Sequence, residues 1–390
     1  MISRRNSERI LVSAGAEKQA LATVRSLGRA GFKVDVLNSQ HNTPAFESRW
    51  CDEALITPPN VDEDAYMTFM LLRLRAVSTL TVLPCDDVTA TLLSRYRHRF
   101  EEHTQLALPP KESFEVATDK SQLVKLAEKI GLPTPRTVHP QDRTEAIHYS
   151  RELEYPVILK GAHGWGAQHV RLVRDAAEFL PALDAIAELE NGRIPMLQEF
   201  IPGTGYGVST LFRHGEARAL FTHARVAEYD VQSKDSPYSC PTAVSCNEPE
   251  LVRLSVRLFS ALQWHGLGMA EWRRDSRNGR FYLMEINPRL VGSTDLAIRC
   301  GVDLPSLQCQ MVRDGDVRPA LEHASGVRMH WLVPDGLRHL LARPSQALRT
   351  HLRRTNTDWS WSDLRPHWLQ LRLAAWEMRN ARRSAKSTQG

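Results

Sequence analysis

The sequence predicts an α/β fold: a parallel βαβ opening, mixed α and β segments after it, and a helical appendage at the end. Three observations carry this. The apolar run ILVSAGA (10–16) precedes ALATVRSLGRAGFKVDVLNS (20–39), which supplies an amphipathic helix, Gly31 at its end and a second strand. Strand-like and helix-like segments then alternate to about residue 310. Beyond that the composition shifts, with five of the nine tryptophans and many arginines lying from Trp331 onward.

A chain of 390 residues exceeds one ordinary core. The expected units are an N-terminal α/β domain over 1–105, a central domain over 106–310 with a small lobe at about 125–195, and the appendage over 311–390. Hydrophobic content of 42%, charged content of 24% and a net charge of +5 are those of an ordinary soluble globular protein and do not point to nucleic acid. No apolar run is long enough to cross a bilayer. The start MISRRNSERILVSAGAEK imitates a signal peptide only weakly, because its apolar part is short and flanked by charge, and it makes a better first strand. Six cysteines with no CxxC pair or zinc spacing read as reduced thiols of a cytoplasmic protein.

TLTVLPCDDVTATLLSRYR (79–97) supplies another strand and helix. Asp86 and Asp87 fall at the strand's C-terminal edge, where open α/β sheets bind ligands. Asp87 is either a substrate-side acid or the helix N-cap. SQLVKLAEKIGLPTP (121–135) is a helix closed by Gly131 and two prolines. Strands are expected near 156–160, 168–174 and 195–201, with a helix near 175–190.

The chemistry-bearing residues sit at strand ends. YPVILKGAHGWGAQHV (155–170) sets Lys160 at the end of an apolar strand, before Gly161, Gly164 and Gly166. Glycines let backbone N–H groups approach phosphate oxygens, and a lysine adds a compact positive charge. Neither GxGxxG nor a Walker A sequence is present. ATDK (117–120) sets Lys120 just before a helix. MLQEFIPGTGYGVS (196–209) breaks a strand into a Pro-Gly turn, which suits hydrogen bonding to a purine edge.

GLGMAEWRRD (266–275), the turn DSRNG (275–279) and FYLMEINPRLVGS (281–293) form a hairpin that brings Glu271 beside Glu285. Side chains two apart share a face, so Glu285, Asn287 and Arg289 project together. Two carboxylates side by side would repel unless a cation lay between them. They could each pair instead with an arginine such as Arg273 or Arg289. A divalent metal accounts for the amide as well, and the all-oxygen set suits Mg2+.

The order of these motifs resembles the ATP-grasp superfamily over roughly residues 8–310. Within it, the chain is similar to carboxylate–amine ligases of the carbamoyl-phosphate synthetase large chain and biotin carboxylase type. The resemblance implies a Rossmann-like N-terminal α/β domain followed by two α+β lobes that clasp ATP. It further implies that Lys120 and Lys160 hold the phosphates, with Gly164 and Gly166 in the covering loop. The backbone of Gln198, Glu199 and Ile201 would hold adenine. Glu271, Glu285 and Asn287 would bind Mg2+, normally two ions, with Mn2+ as a substitute. Arg289, together with Arg225 in FTHARVAEYD, would face the substrate carboxylate or acyl phosphate, and with Lys160 they form the expected catalytic set. Many relatives carry a ribose-binding acid where this chain has Gly205, so Tyr206 or another residue would have to serve.

The implied activity is ADP-forming ligation of a small-molecule carboxylate to an amine through an acyl phosphate. A thiol, bicarbonate or ammonia acceptor, and a non-catalytic nucleotide-binding scaffold, are the alternatives. A homodimer is compatible with this reading and a nucleic-acid partner is not expected. In DLRPHWLQLRLAAWEMRNARRSAKS (363–387), Leu369, Leu373 and Trp376 fall on one helical face among Arg372, Arg379, Arg382 and Arg383. That face is expected to pack on the chain itself rather than on a membrane surface or an acidic partner.

Overall fold

The computed structural model describes residues 8–161, 169–226, 240–342, 344–345, 347 and 355–387. Strands β1 (Arg9–Val12), β2 (Lys33–Asn38), β3 (Glu53–Ile56) and β4 (Thr81–Leu83) form a parallel sheet in the order β3-β2-β1-β4. The helix Lys18–Ala30 crosses from β1 to β2 and ends at Gly31, whose φ of 96° favours a residue without a side chain. The first strand stops earlier than its apolar run, because Ala14 turns the chain at a φ of 52°. Asp35 is buried within β2 and is compensated by Arg9 and Arg73.

The next lobe holds β5 (Thr137–Val138), β6 (Val157–Lys160), β7 (Val170–Val173) and β8 (Met196–Glu199), antiparallel in the order β5-β8-β6-β7. The helix Ala176–Leu189 lays Phe179, Leu183 and Ile186 against Val157, Leu159, Val173 and Leu197.

A seven-stranded sheet completes the chain: β9 (Gly203–Arg213), β10 (Glu216–Arg225), β11 (Thr242–Ser245), β12 (Gly266–Asp275), β13 (Phe281–Asn287), β14 (Arg328–His330) and β15 (Asn356–Thr357). Their order is β13-β12-β9-β10-β11-β14-β15. On one face Val208, Phe212, Ala270 and Trp272 pack with Leu251, Leu258 and Phe259 of the helix Pro249–Ala261. On the other, Leu211, Phe221 and Leu267 join the core of the N-terminal lobe around Val24 and Leu27. The upper part of that second face, above the shared core, carries the polar residues described below.

The region after 311 is helical at its end but does not stand apart from the rest. β14 pairs with β11, and β15 pairs with β14. Arg25 of the first helix meets Asp363 at 2.8 Å, both side chains buried, just before the helix Arg365–Ser387. Arg25 also meets His367 of that helix at 3.0 Å. His367, Gln370 and Ala374 turn inward, while Leu369 and Leu373 are half-buried. Trp376, expected in the packing stripe, is 63% exposed. Among the described residues no helix is long and apolar enough to cross a membrane.

Candidate active site

Strands β12 and β13 run antiparallel with Glu271 directly opposite Glu285 and Met269 opposite Asn287. An irregularity after Glu271 places Trp272 opposite Leu283, which keeps Trp272 in the core while Glu271 and Glu285 share the other face. Across the sheet Gly207 lies opposite Glu271, and His223 lies opposite Gly207. The alternation through the opening of the helix-bound loop is visible in its hydrogen bonds. Asn287 Nδ2 donates to Glu285 Oε1 at 3.2 Å, and Arg289 Nη2 donates to Asn287 Oδ1 at 3.2 Å and to Asp87 Oδ2 at 2.7 Å.

That last contact resolves the role of the paired aspartates. Asp86 is the N-cap, accepting from the Thr89 N–H at 2.8 Å, so Asp87 is available to reach Arg289 across the lobe boundary. The ion pair of the facing carboxylates is made by Arg225, while Arg289 acts on Glu285 through its charge. Arg225 meets Glu271 Oε2 at 2.8 Å, while Arg273 donates to the Ile201 and Gly203 carbonyls at 2.7 and 2.8 Å.

Both lysines converge on Glu285. Lys160 ends β6, and Lys120 opens the helix Lys120–Lys129, which is capped by Asp119 through the Ser121 and Gln122 N–H groups. Burial pushes the Lys160 ammonium down to about 8; Glu285 and Glu271 pull it up, while Lys120 and Arg273 oppose them. Burial pushes the Glu285 carboxyl up, but Lys120, Lys160, the Asn287 amide and Arg225 outweigh it, and the group rests below its ordinary value. Glu285 is therefore ionised at neutral pH. Arg225, Arg273 and Arg289 join the two lysines around Glu271, Glu285 and Asp87, with Glu17 also acting on Arg289, so several cations are gathered where a polyanion could meet them.

No group of three or more His, Cys, Asp or Glu side chains able to hold a metal occurs among the described residues. The donors present are two facing carboxylates and one amide. They fit Mg2+, with its remaining positions left to water and phosphate oxygens.

The other expected contributors divide. Gln198 is buried within the small sheet between β5 and β6, its side chain donating to Thr137 Oγ1 at 2.9 Å. The Glu199 N–H donates to the Arg136 carbonyl at 2.8 Å. With the Ile201 carbonyl held by Arg273, the hinge is tied to both lobes. Gly164 and Gly166 lie outside the described residues. Tyr206 does not face the site: it lies opposite Trp272 and meets Phe281 edge-on at 5.2 Å in the core. Gly205 and Gly207 alternate with it, so the sheet presents no ribose-binding side chain at those positions. A β-carbon on Gly207 would run into the His223 ring and lie 3.0 Å from Met269 Sδ.

His223 has a place at the site that sequence reasoning missed. It is 5% exposed, and its Nδ1 has no hydrogen-bond partner among the described residues. Burial, then Arg225 and His323, push it down to about 3, so it is neutral at any working pH. The signal available was its position two residues before Arg225 on a strand.

Residues 117–293 match the family model described as an ATP-grasp domain. The chain is 28% identical over 178 residues to D-alanine–D-alanine ligase of Pseudomonas putida, a match covering 44% of this chain and 54% of that one. It is 24% identical over 214 residues to the carbamoyl phosphate synthase large chain of Pyrococcus furiosus, covering 54% of this chain and 20% of that one. Among solved structures, the biotin carboxylase domain dimer of Hydrogenobacter thermophilus 2-oxoglutarate carboxylase, in complex with MgADP, ADP and bicarbonate, superposes with a TM-score of 0.67 at 18% identity. That match covers 82% of this chain and 72% of that one. The fold is that of the ATP-grasp proteins, and the chain spans only part of the length of these curated relatives.

Proposed function

We propose, from the premise that residues 117–293 form an ATP-grasp domain, that the chain is an ATP-dependent ligase joining a carboxylate to an amine. The observation that carries this reading is the facing pair Glu271 and Glu285 with Lys120 and Lys160 drawn to it. Lys120 and Lys160 hold the nucleotide phosphates. Adenine meets the Glu199 carbonyl and the Ile201 N–H, the hinge groups not engaged by Arg136 and Arg273. Glu271, Glu285 and Asn287 hold Mg2+, or Mn2+, which when bound neutralises charge on the transferred phosphoryl group.

The substrate carboxylate oxygen attacks the γ-phosphorus; the bond to the β–γ bridging oxygen breaks, releasing ADP and an acyl phosphate. The neutral amine nitrogen then attacks the acyl carbon, inorganic phosphate leaves with the C–O bond's electrons, and the nitrogen gives up one proton, to the departing phosphate or to water, to leave the amide. Arg289, oriented by Asp87 and Asn287, and Arg225 face these oxygens as charge develops on them. MgADP in the similar biotin carboxylase domain and the similarity to D-alanine–D-alanine ligase support nucleotide and acceptor chemistry of this kind.

ADP release measured over small acids and amino acids, paired combinatorially, tests the proposal. With hydroxylamine as acceptor, a productive acid should yield a hydroxamate together with ADP. ADP release that depends on an acid but never yields a hydroxamate or amide would refute the acyl phosphate route.

A further inference from the structure

The outward face of the helix Arg365–Ser387 alternates two residue types. Arg365, Trp368, Arg372, Trp376 and Arg379 recur at spacings of three and four, and so line one ridge. All five face solvent: Trp368 is 60% and Trp376 63% exposed, and the three arginines are exposed; Glu377, exposed beside Trp376, is paired with Arg338. The ridge is about 21 Å long. Trp361, just before the helix, is 81% exposed, and Leu341, on the short helix bridged to it by Arg338 and Glu377, is 62% exposed. Large aromatics rarely sit outside at such exposure without a partner. The opposite face is occupied by the anchor to Arg25, so the ridge is not surface left over from poor packing.

We infer that this ridge docks the chain on an anionic lipid surface. Tryptophan rings are amphipathic and settle at headgroup depth, while the interleaved guanidinium groups meet lipid phosphates. Charge complementarity selects an anionic surface over a neutral one. Shape selects a membrane over a folded partner: a narrow convex ridge can sink into a planar headgroup layer, whereas a stable protein interface requires a broad patch of about 800 Å2 a side. The sequence adds Arg382, Arg383 and Lys386 to the same helix. Nothing in this inference depends on the ligase reading.

Co-sedimentation of the full chain with vesicles tests it, comparing phosphatidylglycerol–phosphatidylcholine mixtures with phosphatidylcholine alone. The chain should pellet with the anionic vesicles only. The Arg372→Ala variant should bind about fivefold more weakly, and the Trp368→Ala/Trp376→Ala pair should lose binding even at low salt. Thermal melts of both variants should match the parent, because the altered side chains are exposed. No binding to anionic vesicles, or equal binding by the tryptophan pair variant, would overturn the inference. Retention by an acidic protein or a nucleic acid with none by vesicles would overturn it equally.

Discussion

Raising the pH from about 7 to about 9 should weaken ATP binding about tenfold through one residue. Lys160 is held down to about 8 by burial, against the pull of Glu285 and Glu271. Roughly ten-elevenths of the protein then carries a charged Lys160 at pH 7 and about one-eleventh at pH 9. If only the charged form binds the triphosphate, the apparent Kd rises in inverse proportion to that fraction. Calorimetric titration with ATP at fixed Mg2+ and ionic strength, without substrate acid, measures it. Lys160→Arg keeps its charge throughout and should flatten the profile. A wild-type Kd unchanged between these pH values, or an arginine variant that stays steep, would refute the reasoning. The stability consequence has its own sign. Between about 8 and about 10.4 the folded lysine binds fewer protons than the unfolded one, so stability rises with pH across that window.

Glu285→Gln removes the charge that Lys120 and Lys160 share, and turnover should fall about 100-fold or more; ADP release at saturating ATP checks this, and near-normal turnover would remove Glu285 from the metal site. Arg25→Ala leaves the buried Asp363 without its counter-charge, held only by Ser48 and the Arg49 N–H, which should cost about 3 kcal/mol in urea unfolding. Burial pushes the Asp363 carboxyl up, but Arg25, the Arg49 N–H and Ser48 outweigh it and hold it low, so this stabilisation is present above about pH 4 and lost as pH falls further. An Arg25→Ala melt displaced equally at pH 3 and pH 7 would contradict that.

The local devices of this chain were legible in its residues. The βαβ opening followed from hydrophobic period and Gly31, and the Glu271–Glu285 pairing followed from two apolar runs joined by a five-residue turn. Alternation carried the face assignment through Asn287 to Arg289, because a strand's period of two leaves little choice. Partner choice was not legible. Glu271 took Arg225, two strands away across β9, and Arg289 took Asp87, 202 residues distant. Tyr206 was readable as a neighbour of the site but not as a core residue, since its face depends on the register of β9 against β12.

Sequence by itself determined the strands that carry the site, Lys160 at the end of one and Glu271 and Glu285 on a hairpin, and which side chains alternate together, for these follow from backbone geometry within a few residues. Tertiary structure alone decided which charges meet, whether a buried histidine finds a partner, and which side of the last helix turns outward. Those outcomes depend on distances between segments far apart in the chain. Here Arg25 meets both Asp363 and His367, and the face of the terminal helix that carries Trp368 and Trp376 is left to water.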